Sequence, residues 1–345
     1  MTKKSAPSTG AKTTVADEST TEPPARLKTA KNALAERVLT AASTDLAEAE
    51  PYIAVSHAPA TVRAYASAAR DFANFGGTIP TTAEFLCRYL AHCANRQLAV
   101  ATIELRLTAI HAAHVELNER SPVEGRIVKR TMQGIRRTIG GRQKTATPIL
   151  KEDLLHMLLL ASRQKPNKAA RDTALLLVGF ASACRRSEVS SIRLRDVSKV
   201  TNGCEVFLPV SKTDQQKNGR VVFLPYASGN RCPVKALDHW IAKAYITEPD
   251  EFVFRAVNRH DQISTKPLSA KGVSIVVKAS ANRIDLFDDE NHRYSAHGLR
   301  SGFVTQATIS GFQAFQIQEQ TGHRSTATVA RYTRVVNRRK LPSLL

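Results

Sequence analysis

The chain has 345 residues, 42% of them hydrophobic, enough to bury cores in two domains of ordinary size. Lys and Arg number 50 against 30 Asp and Glu, a formal net charge of +20 that points to a polyanionic partner. The 5 cysteines contain no CxxC pair and no apolar run approaches the roughly 18 residues that span a bilayer. Neither a disulfide framework nor a zinc site is therefore indicated, no membrane span is expected, and a soluble cytoplasmic protein is expected.

Residues 1–50 are rich in Ser, Thr, Ala and Lys and carry 7 basic and 7 acidic side chains, so the charge excess lies further on. This stretch reads as a mostly disordered tail, with a helix at Ala30 to Ala47. Residues 51–140 are expected to form a bundle of four helices. Val62, Tyr65, Ala69 and Phe72 share one face, followed by Phe85, Leu86, Tyr89, Leu90 and Cys93, then by Ile103, Leu107, Ile110 and His114. In the last helix, within "GRIVKRTMQGIRRTIGGRQK", Val128, Met132, Ile135 and Ile139 fall within about 60° of one another. Arg126, Arg130 and Arg137 lie opposite, and Lys129 and Arg136 flank them. A merely solvated face would mix in acids, yet none occurs between Arg126 and Lys144, so all of these cations, Lys144 included, are candidates for phosphate contact.

Paired glycines and a proline in "GGRQKTATP" predict a linker over residues 141–149. From residue 150 to 345 a second domain opens with helical patterns, "LKEDLLHMLLLAS" and "RDTALLLVGFASACRRSEVSSI". The period then changes: "CEVFLPV" and "RVVFLP" read as a β-hairpin around the polar "SKTDQQKNG", with Lys212 at its lip. Further helices are expected at Pro233 to Ala244, Ser269 to Ala281, Gly298 to Ser310 and Gln313 to Thr321. The class is mainly α with a small β-sheet.

Taken singly, the polar residues of this domain have ordinary readings. Arg185 and Glu188 close an apolar helix, where a cation suits the C-terminal dipole. Lys212 suits a hairpin, His297 and Arg300 sit one helical turn apart, His323 suits a helix cap and Tyr332 a core. Their order changes the reading. "RRSE", "SKTDQ" on a hairpin, "HGLRSG" and "GHRSTATVARYTR" together resemble the tyrosine recombinase or phage integrase family. The second domain is covered fully, and the helical domain more loosely. Two positions depart from the family pattern: Ala183 stands where a glycine is usual, and Ser301 where a histidine is frequent.

The resemblance implies a helical, SAM-like core-binding domain and an α+β catalytic domain closing as a C-shaped clamp around DNA. It implies site-specific recombination of duplex DNA through a covalent 3′-phosphotyrosyl intermediate and a Holliday junction, without metal, cofactor or ATP. Tyr332 would be the nucleophile, Arg185 and Arg300 the phosphate clamp with His323 as a third donor, His297 the proton acceptor and Lys212 the general acid. Glu188 would orient Arg185 or His297. The implied partners are double-stranded DNA with an inverted-repeat site, three further copies in a homo-tetramer, and DNA-bending accessory proteins at a bacterial nucleoid. The leucines of "VVNRRKLPSLL" are candidates for docking into a neighbouring copy. Alternatives are a type IB topoisomerase, which shares the chemistry, and a non-catalytic architectural protein of the same fold.

Overall fold

The computed structural model describes residues 49, 51–52, 56–140, 145–209, 219–323 and 329–330. The expected tail and its helix, Lys144, Lys212, Tyr332 and the final leucines lie outside the described residues. The chain divides into two compact units, Met1–Gln143 and Lys144–Leu345.

In the first unit, four helices follow one another: α1 (Pro59–Asn74), α2 (Ala83–Asn95), α3 (Val100–Glu116) and α4 (Arg126–Ile139). A proline opens α1, and the Thr82 hydroxyl caps α2 by accepting from the Phe85 N–H at 3.2 Å. α2 packs on α4 and α1 on α3. The core gathers Phe72, Leu86, Tyr89, Leu90, Ile103 and Ile110 with Val128, Met132 and Ile135 of α4, the apolar face expected of that helix. On α1 the buried side is Ala68, Phe72 and Ala73, turned from the expected face because Phe72 stacks edge-on against both Phe85 and Tyr89. His114 is buried as a staple: Nδ1 donates to the Ile110 carbonyl at 2.7 Å and Nε2 accepts from the Thr81 N–H at 3.1 Å.

In the second unit, α5 (Lys151–Ala161), α6 (Pro166–Ala181) and the short α7 (Arg186–Ser191) precede an antiparallel sheet of β1 (Val197–Val200), β2 (Gly203–Leu208) and β3 (Arg220–Pro225) in that order. Then come α8 (Pro233–Lys243), a two-stranded sheet of β4 (Arg255–Val257) and β5 (Ile263–Pro267), α9 (Ala270–Asn282), α10 (Ala296–Ile309) and α11 (Ala314–Thr321). The architecture is mainly helical with small sheets. β2 and β3 pair as the expected hairpin, with Phe207 opposite Val221 and Val206 opposite Val222. β1 and the second sheet were not foreseen, being strands of 3 to 5 residues with little alternation.

From Ala174 through Gly179 α6 is apolar all round, and the helix is buried accordingly against α8, α10 and α5. Its buried ions Arg171 and Asp172 pair at 2.6 Å. Trp240 of α8 is fully buried and donates to the Val253 carbonyl at 2.7 Å.

Two features differ from the sequence reading and both shape the site. The continuous helix expected through "FASACRRSEV" is broken: Ala183 takes φ 50°, and the chain restarts as α7 with Arg185 as its N-cap. Arg185 is thus at a helix beginning rather than an end, and the Glu188 carboxylate caps it by accepting the Arg185 N–H at 2.8 Å. The end of the expected linker is also part of the second unit. Ile149 N–H donates to the Gly298 carbonyl and Thr147 N–H to the Arg293 carbonyl, each at 2.9 Å. This segment lies directly on α10: a Cβ at Gly302 would stand 1.8 Å from the Ile149 carbonyl oxygen, and one at Gly298 2.7 Å from that of Thr147. The two glycines of "HGLRSG" therefore admit the backbone that braces His297 and Arg300.

Candidate active site

Arg300 lies on α10 with only 2% of its surface exposed. Its Nη1 donates to the Ala183 carbonyl at 2.7 Å, and the left-handed turn at Ala183 is what aims that carbonyl. Among the described residues, Nη2 is buried without a partner. Leaving a charged donor unpaired in the interior costs several kcal/mol, which an anion placed at Nη2 would offset.

Arg185 enters from α7 with its side chain 21% exposed, and its Nη1 donates to Glu188 Oε1 at 2.7 Å. Glu188 is buried and also accepts from Arg220 Nη2, the first residue of β3, at 2.9 Å. Burial pushes its carboxyl pKa up, but the Arg185 N–H, the Arg220 charge and the Arg185 side chain outweigh this and hold it below the usual range. No hydrogen bond joins Glu188 to His297 among the described residues, so of its two expected partners Glu188 serves Arg185.

His297 occupies the first turn of α10 and is exposed. Crowding by protein around the ring, then the charges of Arg300 and Arg185, lower its pKa. His323 follows the left-handed Gly322 that ends α11, and its Nδ1 lies 2.8 Å from the Thr321 hydroxyl. Burial, then the charges of Arg300, Arg185, His297 and Arg220, bring His323 down to about 4. Arg300 is itself drawn down to about 10, by burial first and Arg185 next, and stays charged at neutral pH. The same few charges recur among these groups, which lie close together: Arg185 and Arg220 held by the Glu188 carboxylate, Arg300 held by the Ala183 carbonyl, and two neutral imidazoles beside them. Val329, three positions before Tyr332 in the sequence, is buried with Val304 and Ala307 of α10 and Ile317 of α11.

This constellation agrees with comparison to known proteins. The model of the phage integrase family matches residues 148–339, which include every group of the pocket. The chain belongs to the phage integrase family. An integrase/recombinase xerD homolog of Selenomonas ruminantium is 33% identical over 286 residues, 80% of this chain and 82% of the relative. The recombinase cre of Escherichia phage P1 is 23% identical over 74% of this chain and 76% of its own. In fold, the chain resembles the XerH site-specific recombinase bound to a palindromic difH substrate in a post-cleavage complex, with a TM-score of 0.61, 18% identity, and coverage of 87% and 83%. A lambda integrase dimer bound to a COC′ core site gives a TM-score of 0.56 at 16% identity over 89% and 75%. The protein is a tyrosine recombinase, an enzyme of site-specific DNA recombination.

In the recombinase's first unit, the cations of α4 divide into two groups. Arg126, Arg130 and Arg137 are exposed and carry no ion pair among the described residues. Lys129 and Arg136 are instead engaged by Glu124 at 2.6 Å and Glu104 at 2.8 Å, acids that the reading of α4 alone left out because they sit in the preceding turn and on α3. Such exposed pairs are weak, so a phosphate can displace the carboxylate. Gly134 shares the exposed side, where a Cβ would meet nothing within 4 Å, although glycine inside a helix costs about 1 kcal/mol relative to alanine.

Arg220 is the pocket residue that sequence reasoning missed. Its signal was present but ordinary: a lone cation opening a β-rich run, "RVVFLP", after a polar loop. No helix of the described residues is long and apolar enough to cross a membrane.

Proposed function

We propose that this recombinase cuts and rejoins duplex DNA at an inverted-repeat site through a covalent bond between Tyr332 and a 3′ phosphate, passing through a four-way junction in a tetramer. The observation that carries the proposal is the buried Nη2 of Arg300, which has no partner among the described residues and is set among the charges of Arg185 and Arg220. A planar guanidinium fork can give two hydrogen bonds to the non-bridging oxygens of a phosphodiester, where charge concentrates in the transition state.

In the proposed step the Tyr332 oxygen bonds to phosphorus and the bond from phosphorus to the 5′ oxygen breaks. The phenol proton passes to His297, which crowding by protein first and the neighbouring cations next keep uncharged and therefore able to accept it. Lys212 gives a proton to the departing 5′ oxygen. One phosphodiester replaces another, so the reverse step, attack by a 5′ hydroxyl from the partner duplex, needs no external energy source. His323 is neutral before DNA arrives; the phosphate supplies negative charge, favours its protonated form and makes it the third donor.

Duplex DNA is also the proposed partner of α4, whose unpaired Arg126, Arg130 and Arg137 suit the phosphate backbone. The test is a nicked suicide duplex bearing the site that the wild-type chain selects from random-sequence DNA. An adduct that survives SDS is expected from the wild type, and none from Tyr332→Phe; an adduct from the Phe variant would refute the assignment.

A further inference from the structure

Arg220 belongs to none of the motifs that carry the family resemblance, yet its guanidinium touches two walls of the pocket. Nη2 donates to Glu188 Oε2 at 2.9 Å, sharing that oxygen with the Arg185 N–H, and Nη1 donates to the Gln320 carbonyl at 2.6 Å. Gln320 lies in the last turn of α11, three residues before His323. The stem of Arg220 packs on the same turn: a Cβ at Gly322 would lie 2.9 Å from both its Cδ and its Nε. With 15% of its side chain exposed, Arg220 is held in place on both sides. One planar fork therefore ties the root of β3 to the Glu188–Arg185 pair on α7 and to the turn that presents His323.

We propose that Arg220 is a positioning residue, which keeps Arg185 and His323 in register about the phosphate so that the chemical step, rather than DNA binding or folding, depends on it. The proposal rests on the reading of the pocket as a phosphate site. Folding is secured separately. The Gln320 side chain donates to the Phe223 carbonyl at 2.7 Å and to the Ala181 carbonyl at 2.8 Å, which docks α11 on β3 and α6 without help from Arg220. Lysine is not an equivalent, because a single ammonium has no planar fork with which to hold both the Glu188 carboxylate and the Gln320 carbonyl.

The experiment uses the full chain and the same selected suicide duplex, following single-turnover adduct formation at saturating DNA. Arg220→Gln is expected to slow that step about 100-fold, the scale of a small misplacement of catalytic groups, with DNA affinity unchanged and unfolding still cooperative. Arg220→Lys should recover little of the rate. The pH–rate profile of Arg220→Gln should move toward higher pH, since one of the positive charges that suppress protonation of His323 is gone. Combined with Glu188→Gln, the two effects should be clearly less than additive, because the link to Arg185 is shared while the link to the His323 turn is not. The proposal is overturned by a wild-type rate in Arg220→Gln, by full recovery with lysine, by additive effects, or by loss of cleavage that parallels loss of binding or of cooperative unfolding. Wild-type adduct formation on the same duplex reports on the pocket itself, so a defect confined to the Arg220 variants is read apart from it.

Discussion

The arginines of α4 and those of the pocket are the same side chain put to opposite uses. Arg126, Arg130 and Arg137 are exposed, hydrated and unpaired among the described residues, whereas Arg300 is buried and Arg185 is locked to Glu188. A hydrated guanidinium attracts any phosphate at small cost and is screened by salt. A buried one with a fixed orientation is unstable alone and gains most when a single phosphate arrives at one place. In the proposed function, affinity and chemistry therefore fall to different environments of one residue type, so each should be alterable without the other.

The largest expected effect tests the buried set. Arg300→Ala should lower the rate of adduct formation by about 10²–10³-fold, the scale for removing one fixed transition-state donor. DNA affinity should change little, and Arg300→Lys should not restore the rate. If the substitution weakens binding as much as cleavage, the division between the two groups fails. Next in size, Arg130→Ala with Arg137→Ala should weaken binding to all sequences alike. The slope of log affinity against log salt, measured by titration at several salt concentrations, should become shallower by about 0.9 for each phosphate that is no longer neutralised. Cleavage at saturating DNA should stay at the wild-type rate.

A smaller effect has opposite signs on two readouts. Gly134→Ala should stabilise the free protein by about 1 kcal/mol in thermal unfolding, because Ala is the better helix former and its Cβ meets open space. The same methyl should weaken DNA binding if α4 presents its backbone closely to the duplex; an unchanged affinity would confine the DNA contact to the arginine tips. The remaining effect is on pH dependence. His323 has an ordinary pKa of 6.5 when unfolded and one of about 4 in the fold, so between these values only the unfolded chain binds the extra proton. Stability should therefore fall as the pH drops from 6.5 toward 4, and His323→Gln should flatten that part of the curve in denaturant titrations.

Much of this was legible in the sequence because the relevant patterns are long or fixed in order. The face of α4 repeats over 14 residues, and the β2–β3 hairpin is announced by two β-rich runs around a polar loop. The break at Ala183 was not legible. "LLLVGFASAC" is uniformly apolar and small, and nothing local distinguishes an alanine at φ 50° from a helical one; the Arg300 fork that takes up its carbonyl lies 117 residues away. Alanine in that conformation is strained where glycine is not, which gives a physical reason for the glycine usual at this place in the family. Arg220 was hidden for a related reason. Its partners, Glu188 and Gln320, are 32 and 100 residues distant, so its role exists only in three dimensions. Thr147 and Ile149 read as linker because a strand-like segment bonded to a helix has no period of its own.

The division of labour among these residues turns on where the DNA becomes attached. The most direct measurement is mass spectrometry of the SDS-stable adduct after nuclease and protease digestion. A nucleotide joined through its 3′ phosphate to the peptide that contains Tyr332 is the expected result. A nucleotide on any other residue, or one joined through its 5′ phosphate, would contradict it.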